Sequence, residues 1–445
     1  MEWSQVIDER IRSEVLKVVN DGVQRLVNAE QIKKKMLESI ETRKKKGLDY
    51  MPWSATDLAR GYSGLCVMFG ALDRIEPEKG WDKIGYSYLQ EIQKEIMKEG
   101  IKGFGLWTGL AGVIIAARAL SRGGERYENF IGELNSVFLR SFPSMMEFIQ
   151  SKSDEGVSLD DFDVIQGMSG IGRYTLCFRK ELEMRNALEQ ILLYLVKLCE
   201  YKKINGIMVP GWFVSYDKYR GYGRKEYPNG HFNCGMSHGI VGVLALMSIA
   251  MINKVEVTGQ REAIHKIVDW MMRWKTSDKF GPIWPARVSW EENIEGRSKN
   301  TAVREAWCYG SPGVARALWL SGMAVNNEEW KEVALDTFRG TALRPMDKWN
   351  IESDTFCHGY AGLLQMVQRM YSESGDELLG DLRNNLAERV IELWKPNELY
   401  GYQEGEKSDK QDIAGLLDGV AGVFTVLIGL IEEQESDWDL VFLIR

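Results

Sequence analysis

Two kinds of apolar segment alternate along this chain. In the first kind, apolar residues line one stripe of a charge-rich stretch. Within 179–201, for example, Leu182, Leu188, Ile191, Leu192 and Leu195 recur near helical spacing. Stretches 82–99, 129–150, 261–275, 328–343 and 377–394 repeat the pattern, and a long polar helix expected over 5–46 supplies the first of the set. In the second kind, as in 113–119, 243–251 and 423–430, the sequence is apolar nearly all round. A helix with one wet face lies outside, and one without a wet face is enclosed by its neighbours. The pattern predicts an all-α chain of seven pairs, each an outer amphipathic helix followed by an inner apolar one.

A glycine pair opens every inner segment. Gly61 and Gly64, Gly109 and Gly112, Gly167 and Gly170, Gly239 and Gly242, Gly310 and Gly313, Gly359 and Gly362, and Gly419 and Gly422 each stand as Gly-x-x-Gly. One such motif carries no information, but seven at the heads of apolar runs mark a repeat. Without Cβ atoms, backbones there can approach closely. Seven helical hairpins make either an open solenoid or a closed α/α toroid. Closure is favoured, because special residues stand at the same end of several inner helices and only a ring brings those ends together. A single domain over 1–445 is expected. The intervals from Gly167 to Gly239 and from Gly239 to Gly310 are longer than the others. They hold aromatic or β-branched runs bounded by Pro and Gly, at 207–214 and 280–288. Segments 203–232 and 276–300 are therefore expected to form a small, partly β extension beside the ring mouth. It is either a guide for substrate, with Trp212 and Trp284 as contact residues, or a plain surface hairpin.

The residue before each first glycine is Arg60, Thr108, Gln166, His238, Tyr309, His358 or Asp418, all polar or aromatic-polar. Such a column at inner-helix N-termini suits a site on the ring axis, where the helix ends add partial positive charge for a developing anion. One position further back, Cys308 and Cys357 share a register in Trp307-Cys308-Tyr309-Gly310 and Phe356-Cys357-His358-Gly359. A lone cysteine is ordinarily a small buried apolar residue. Two in one register beside a histidine read instead as Cys308, Cys357 and His358 holding one zinc ion. A fourth position then stays open, as in catalytic rather than structural zinc. His238 shares the column of His358 and is the acid–base candidate. Asp163 either orients His238 or only caps a helix. Arg304 either serves an anion or makes a surface salt bridge. His265 reads as packing or surface, His231 has no assigned role, and Cys66, Cys177 and Cys199 read as core. Cys234 is a candidate neighbour of His238.

Composition narrows the classes. The chain has 445 residues, 44% hydrophobic and 27% charged, as a soluble globular protein with a sizeable core has. A net charge of −8 argues against a nucleic-acid binder. Six scattered cysteines do not make a disulfide scaffold and suit reduced, cytoplasmic thiols. The first ten residues are too polar for a signal peptide. The longest apolar run, 240–252, is too short to span a membrane and reads as a buried helix. The basic runs at 33–35 and 43–46 either attract an acidic peptide or membrane surface or, the favoured reading, form a solvated helix face.

With Ser237-His238-Gly239, Trp307-Cys308-Tyr309-Gly310 and Cys357-His358-Gly359 in that order, nearly the whole chain resembles the lantibiotic (class I lanthipeptide) cyclases. The resemblance implies an α/α toroid with one Zn2+ per chain at its mouth, held by Cys308, Cys357 and His358. It implies catalytic roles for His238 and Asp163, with Arg304 and Tyr309 as further active-site residues. The implied reaction adds cysteine thiols of a dehydrated precursor peptide, leader plus core, to its own dehydroalanine or dehydrobutyrine residues. Lanthionine or methyllanthionine thioether rings result. Implied partners are a dehydratase and an ABC exporter in a membrane-associated complex, holding a cytoplasmic enzyme at the inner face of the membrane. No redox cofactor, nucleotide or nucleic acid is expected. The same ring architecture supports zinc-dependent protein prenyltransferases and metal-free glycosidases. A glycosidase would rest on paired carboxylates, for which only Asp163 and Asp418 stand in place. The closer rival is a non-catalytic, zinc-dependent thiol- or glutathione-binding protein of the same family.

Overall fold

Each first glycine stands immediately before a helix in the computed structural model of the chain, which describes residues 7–152, 156–220, 223–299, 304–405 and 409–445. Gln5, at the start of the expected first helix, and positions 221, 222 and 300 of the expected extension segments lie outside the described residues. The inner helices are Tyr62–Ile75, Leu110–Ala119, Met168–Cys177, Ile240–Ile252, Ser311–Val325, Tyr360–Ser374 and Val420–Ile431. They are buried over most of their length, as their mainly apolar sequences require. The outer helices Trp81–Glu99, Glu128–Lys152, Leu182–Leu198, Gln260–Trp274, Glu328–Leu343 and Glu377–Glu392 keep a wet face.

The glycine pairs are needed for close approach rather than for an unusual φ, since the first glycines are extended. A Cβ on Gly313 would lie 2.3 Å from the Trp307 carbonyl oxygen, on Gly362 1.9 Å from that of Phe356, and on Gly422 2.1 Å from that of Leu416. The contact is with the loop that leads into the helix, folded back on the helix's first turn. That fold-back presents the column residue. Gly362→Ala should therefore displace the segment carrying Cys357 and His358 and cost about 1–3 kcal/mol in urea unfolding. Gly132→Ala, in an outer helix where nothing stands within 4 Å, should be neutral or slightly stabilising.

Two features differ from the sequence reading. The expected helix over 5–46 is two helices, Glu9–Val23 and Ala29–Lys46. Asn28 ends the run because its side chain accepts the Gln31 N–H at 3.0 Å and caps the second helix from an extended backbone. The tight hairpins also run from an inner helix to the outer helix after it. Tyr62–Ile75 packs on Trp81–Glu99, Ser311–Val325 on Glu328–Leu343, and Tyr360–Ser374 on Glu377–Glu392. The longer, motif-bearing loops join one hairpin to the next. The last inner helix leads into the short turn Trp438–Phe442, and Glu9–Val23 packs on that helix. Gly22 lies so close to the Phe424 ring that no Cβ fits there.

The chain divides into two units. One, Met1–Asn135 with Ile351–Trp438, is built on the inner helices Tyr62–Ile75, Leu110–Ala119, Tyr360–Ser374 and Val420–Ile431. The rings of Tyr62, Tyr88 and Phe69 pack in series there. The Tyr62 and Tyr88 hydroxyls donate to the carbonyls of Ala29 and Leu26, each at 2.6 Å, tying on the N-terminal helices. The other, Ser136–Asn350 with Asp439–Arg445, is built on Met168–Cys177, Ile240–Ile252 and Ser311–Val325. The end of the chain is core here. Trp307 Nε1 donates to the Phe442 carbonyl at 2.9 Å, and the buried Arg316 donates from Nε to that of Ile444 at 2.7 Å.

Among the described residues the second unit holds three antiparallel strand pairs: Tyr201–Ile204 with Ile207–Pro210, His231–Asn233 with Arg287–Ser289, and Thr276–Ser277 with Pro282–Ile283. The expected strands are present, but Trp212 and Trp284 are not surface contacts. Trp212 is buried edge-on to Trp270 at 5.6 Å, and Trp284 donates from Nε1 to the Met271 carbonyl at 3.0 Å. Both are core anchors, so substituting them would test the fold. The exposed large apolar residues of this region include Tyr201, Ile207, Met208, Tyr216 and Ile294. Among the described residues, no helix is long and apolar enough to cross a membrane.

Candidate metal and proton-transfer site

The column before the first glycines is where the helix mouths meet solvent. Arg60, Thr108, His238, Tyr309 and His358 are half-buried, Gln166 is exposed and only Asp418 is buried. The residue one step further back stitches neighbouring loops together through its carbonyl. In the first unit Cys357 N–H donates to Leu417 O at 3.0 Å, Leu417 N–H to Ala59 O at 2.9 Å, and Leu58 N–H to Trp107 O at 2.8 Å. In the second, Val164 N–H donates to Ser237 O at 3.0 Å and Met236 N–H to Cys308 O at 2.9 Å. The backbone thus sets the loops of Asp163, His238 and Cys308 side by side.

His238 Nδ1 lies 2.5 Å from Asp163 Oδ2. The other oxygen, Oδ1, accepts the backbone N–H groups of Gln166 and Gly167 at 2.7 and 2.8 Å. One oxygen thus caps the loop while the other lies against His238. Burial alone would lower the His238 pKa. The hydrogen bond and charge of the fully buried Asp163, then the charges of Cys308 and Asp160, outweigh burial and raise it above the ordinary histidine value. The Tyr309 ring stacks on His238 with centroids 6.5 Å apart. Burial pushes its hydroxyl up to about 12, although Arg287 and Asn233 oppose the shift. Arg304 is half-buried, and its Nε has no partner among the described residues. No salt bridge of Arg304 is formed among the described residues.

The ligand atoms of Cys308, Cys357 and His358 all lie within 4.8 Å of one another, close enough to hold a metal ion. Two thiols and an imidazole are the donor types that suit zinc. His358 Nε2 lies 2.7 Å from Glu404 Oε1. Glu404 also accepts from the hydroxyls of Ser353 and Thr355. Burial would raise the Glu404 carboxyl, but these partners, His358 foremost, hold it below the usual carboxylate range. A carboxylate on the far nitrogen of a histidine is the usual support for a ligating imidazole. Sequence reasoning missed Glu404: it stands in no motif, and only the fold brings it to His358.

Other candidates fall away. Asp418 ion-pairs with Arg60 at 2.6 Å, and Asp163 is engaged by His238. Neither is placed as a glycosidase acid. His231 is buried between Tyr219 and Tyr227, and burial with the nearby Arg287 charge lowers its pKa to about 3, so it is neutral. His265 packs edge-on to Trp330. Cys66 and Cys199 are buried thiols, Cys177 is half-buried, and Cys234 turns to the Phe232 carbonyl.

Residues 52–443 match the family model described as lanthionine synthetase C-like protein. The chain belongs to that family. Among its relatives, nisin biosynthesis protein NisC of Lactococcus lactis subsp. lactis is 24% identical over 412 residues, 90% of this chain and 92% of that protein. A solved structure, nisin cyclase, is similar with a TM-score of 0.76 at 21% identity, over 93% of this chain and 97% of that one. The fold is accordingly the α/α toroid expected from the glycine-marked repeats.

Proposed function

We propose that this member of the lanthionine synthetase C-like family is a zinc-dependent cyclase that forms lanthionine or methyllanthionine rings in a dehydrated precursor peptide. The observation that carries the reading is the Asp163–His238 pair set next to Cys308, one of the three residues that could hold a metal. A protein that merely bound thiols would have no use for an acid–base pair with a raised pKa beside its metal ligands. Nisin cyclase and NisC, by their names, act in nisin biosynthesis.

Cys308, Cys357 and His358 would hold the zinc, with Glu404 steadying the His358 ring through Nε2. When bound, zinc would lower the pKa of a substrate thiol so that it is ionised near neutral pH. His238, its Nδ1 held by Asp163, takes the thiol proton on Nε2. The sulfur pair forms the C–S bond at the β-carbon of the dehydro residue, and the alkene pair moves toward the carbonyl, giving an enolate. Arg304 offers its guanidinium to that oxygen, and Tyr309 donates from its hydroxyl at the same site. His238 then returns the proton to the α-carbon, so no atom is gained or lost. In this reading the substrate comes from a dehydratase in the cytoplasm and the product leaves through an exporter.

The test is to incubate the zinc-loaded protein with a dehydrated precursor and count free thiols after denaturation. Loss of thiols at unchanged peptide mass supports the cyclase. Thiols that are protected while the protein is folded but fully recovered on denaturation identify the thiol-binding alternative.

A further inference from the structure

The strand pair His231–Asn233 and Arg287–Ser289 has no part in the chemistry above. Its register sets Asn233 opposite Arg287 and His231 opposite Ser289 on one face, with Phe232 opposite Val288 on the other. The Phe232 face is core, against Phe213 at 5.1 Å and Trp270 at 5.5 Å. The polar face meets Tyr309. Asn233 Nδ2 donates to the Tyr309 hydroxyl oxygen at 3.0 Å. Which end of the amide faces the tyrosine is settled by its neighbour, because Oδ1 accepts the Gly235 N–H at 3.0 Å. The Arg287 guanidinium carbon lies 5.0 Å from the centre of the Tyr309 ring, and 5.8 and 5.7 Å from those of Tyr219 and Tyr227. Among the described residues it has no ion pair with a carboxylate; its partners are these rings. Gly235 closes the third side, since a Cβ there would lie 2.6 Å from the Tyr309 ring.

We propose that Asn233 and Arg287 are positioning residues for Tyr309. The strand pair is a clamp that holds the ring by its hydroxyl, face and edge, beside His238. Because Asn233 donates into the hydroxyl oxygen, the Tyr309 proton points away from the strand and is offered to an acceptor in the site. Only the purpose of that proton rests on the cyclase reading; the clamp does not.

The test uses the full chain labelled with 3-fluorotyrosine and read by fluorine NMR, the Tyr309 resonance being the one lost in Tyr309→Phe. Asn233→Asp keeps the acceptor for Gly235 but turns the donor into an acceptor, so the Tyr309 proton is captured. Arg287→Met keeps the stem and removes the charge, and it carries the test if the buried aspartate prevents folding. The Tyr309 resonance should shift or broaden in both variants, and Arg287→Lys should restore part of the change. With dehydrated precursor, Asn233→Asp should lower kcat about tenfold with KM little changed, and should cost nothing further in a Tyr309→Phe background. An unmoved Tyr309 resonance in the folded variants, or losses that multiply in the double variant, would overturn the clamp. If the wild-type chain does not cyclise, the cyclase reading fails while the fluorine spectra still decide the clamp.

Discussion

His238→Asn is expected to keep the metal and lose about 100- to 10,000-fold in cyclisation rate, the range of a lost general acid–base. The side chain stands near Cys308 but outside the Cys-Cys-His group, with its Nδ1 already engaged by Asp163. An amide of similar polarity fills the space but cannot carry a proton through the cycle. Metal analysis of the purified variant and turnover of dehydrated precursor are the measurements. Loss of zinc together with activity would make His238 a ligand and end the proposed division of roles. The pH profile gives a second handle. The neutral imidazole accepts the thiol proton, and its pKa is raised. The wild-type kcat/KM should therefore climb through a midpoint above the ordinary histidine value of 6.5 and level off at higher pH. Asp163→Asn keeps an oxygen for the Gln166 and Gly167 N–H groups but removes the charge that raises the pKa. Its midpoint should move down, not up, and its rate should fall.

Cys357→Ala is expected to abolish stoichiometric zinc binding while leaving the helical circular dichroism close to that of the wild type. The zinc of a catalytic site rests on three protein ligands, and removing a thiolate leaves too few to hold it. The helices do not depend on it, since the inner ones are buried along their length by apolar packing. Cys308→Ala should behave alike. Glu404→Gln should be graded between wild type and these, with about 10- to 100-fold weaker zinc binding, because it loosens His358 without removing a ligand. Competition against a chromophoric chelator ranks all four proteins. Full occupancy in Cys357→Ala would overturn the ligand assignment, and an affinity in Glu404→Gln equal to that of Cys357→Ala would make the glutamate itself a ligand.

What can be read from the sequence and what cannot divide along the range of the forces involved. Burial pattern and helix boundaries are local, so the stripe of Leu188, Ile191, Leu192 and Leu195 and the all-apolar run of Ile240–Ile252 announce outer and inner helices without a structure. The glycine pairs are legible for the same reason: Gly313 meets the carbonyl of Trp307 within its own loop. Because that loop geometry repeats, residues in one column hold equivalent places at the helix mouths, and Cys308, Cys357, His358 and His238 could be nominated by register alone. An apolar stripe does not name its partner, however. That Glu9–Val23 covers the last inner helix, and that Trp212 and Trp284 turn inward, was decided by tertiary packing. Polar partners distant in sequence were equally hidden. Glu404 on His358, Asn233 and Arg287 on Tyr309, and Arg60 on Asp418 meet only because folded loops bring short-range hydrogen bonds and charges into reach. The sequence alone determined the repeat, its helices and the column of reactive side chains. The tertiary structure decided which residues hold those side chains in place, since a contact of about 3 Å exists only once the chain has closed on itself.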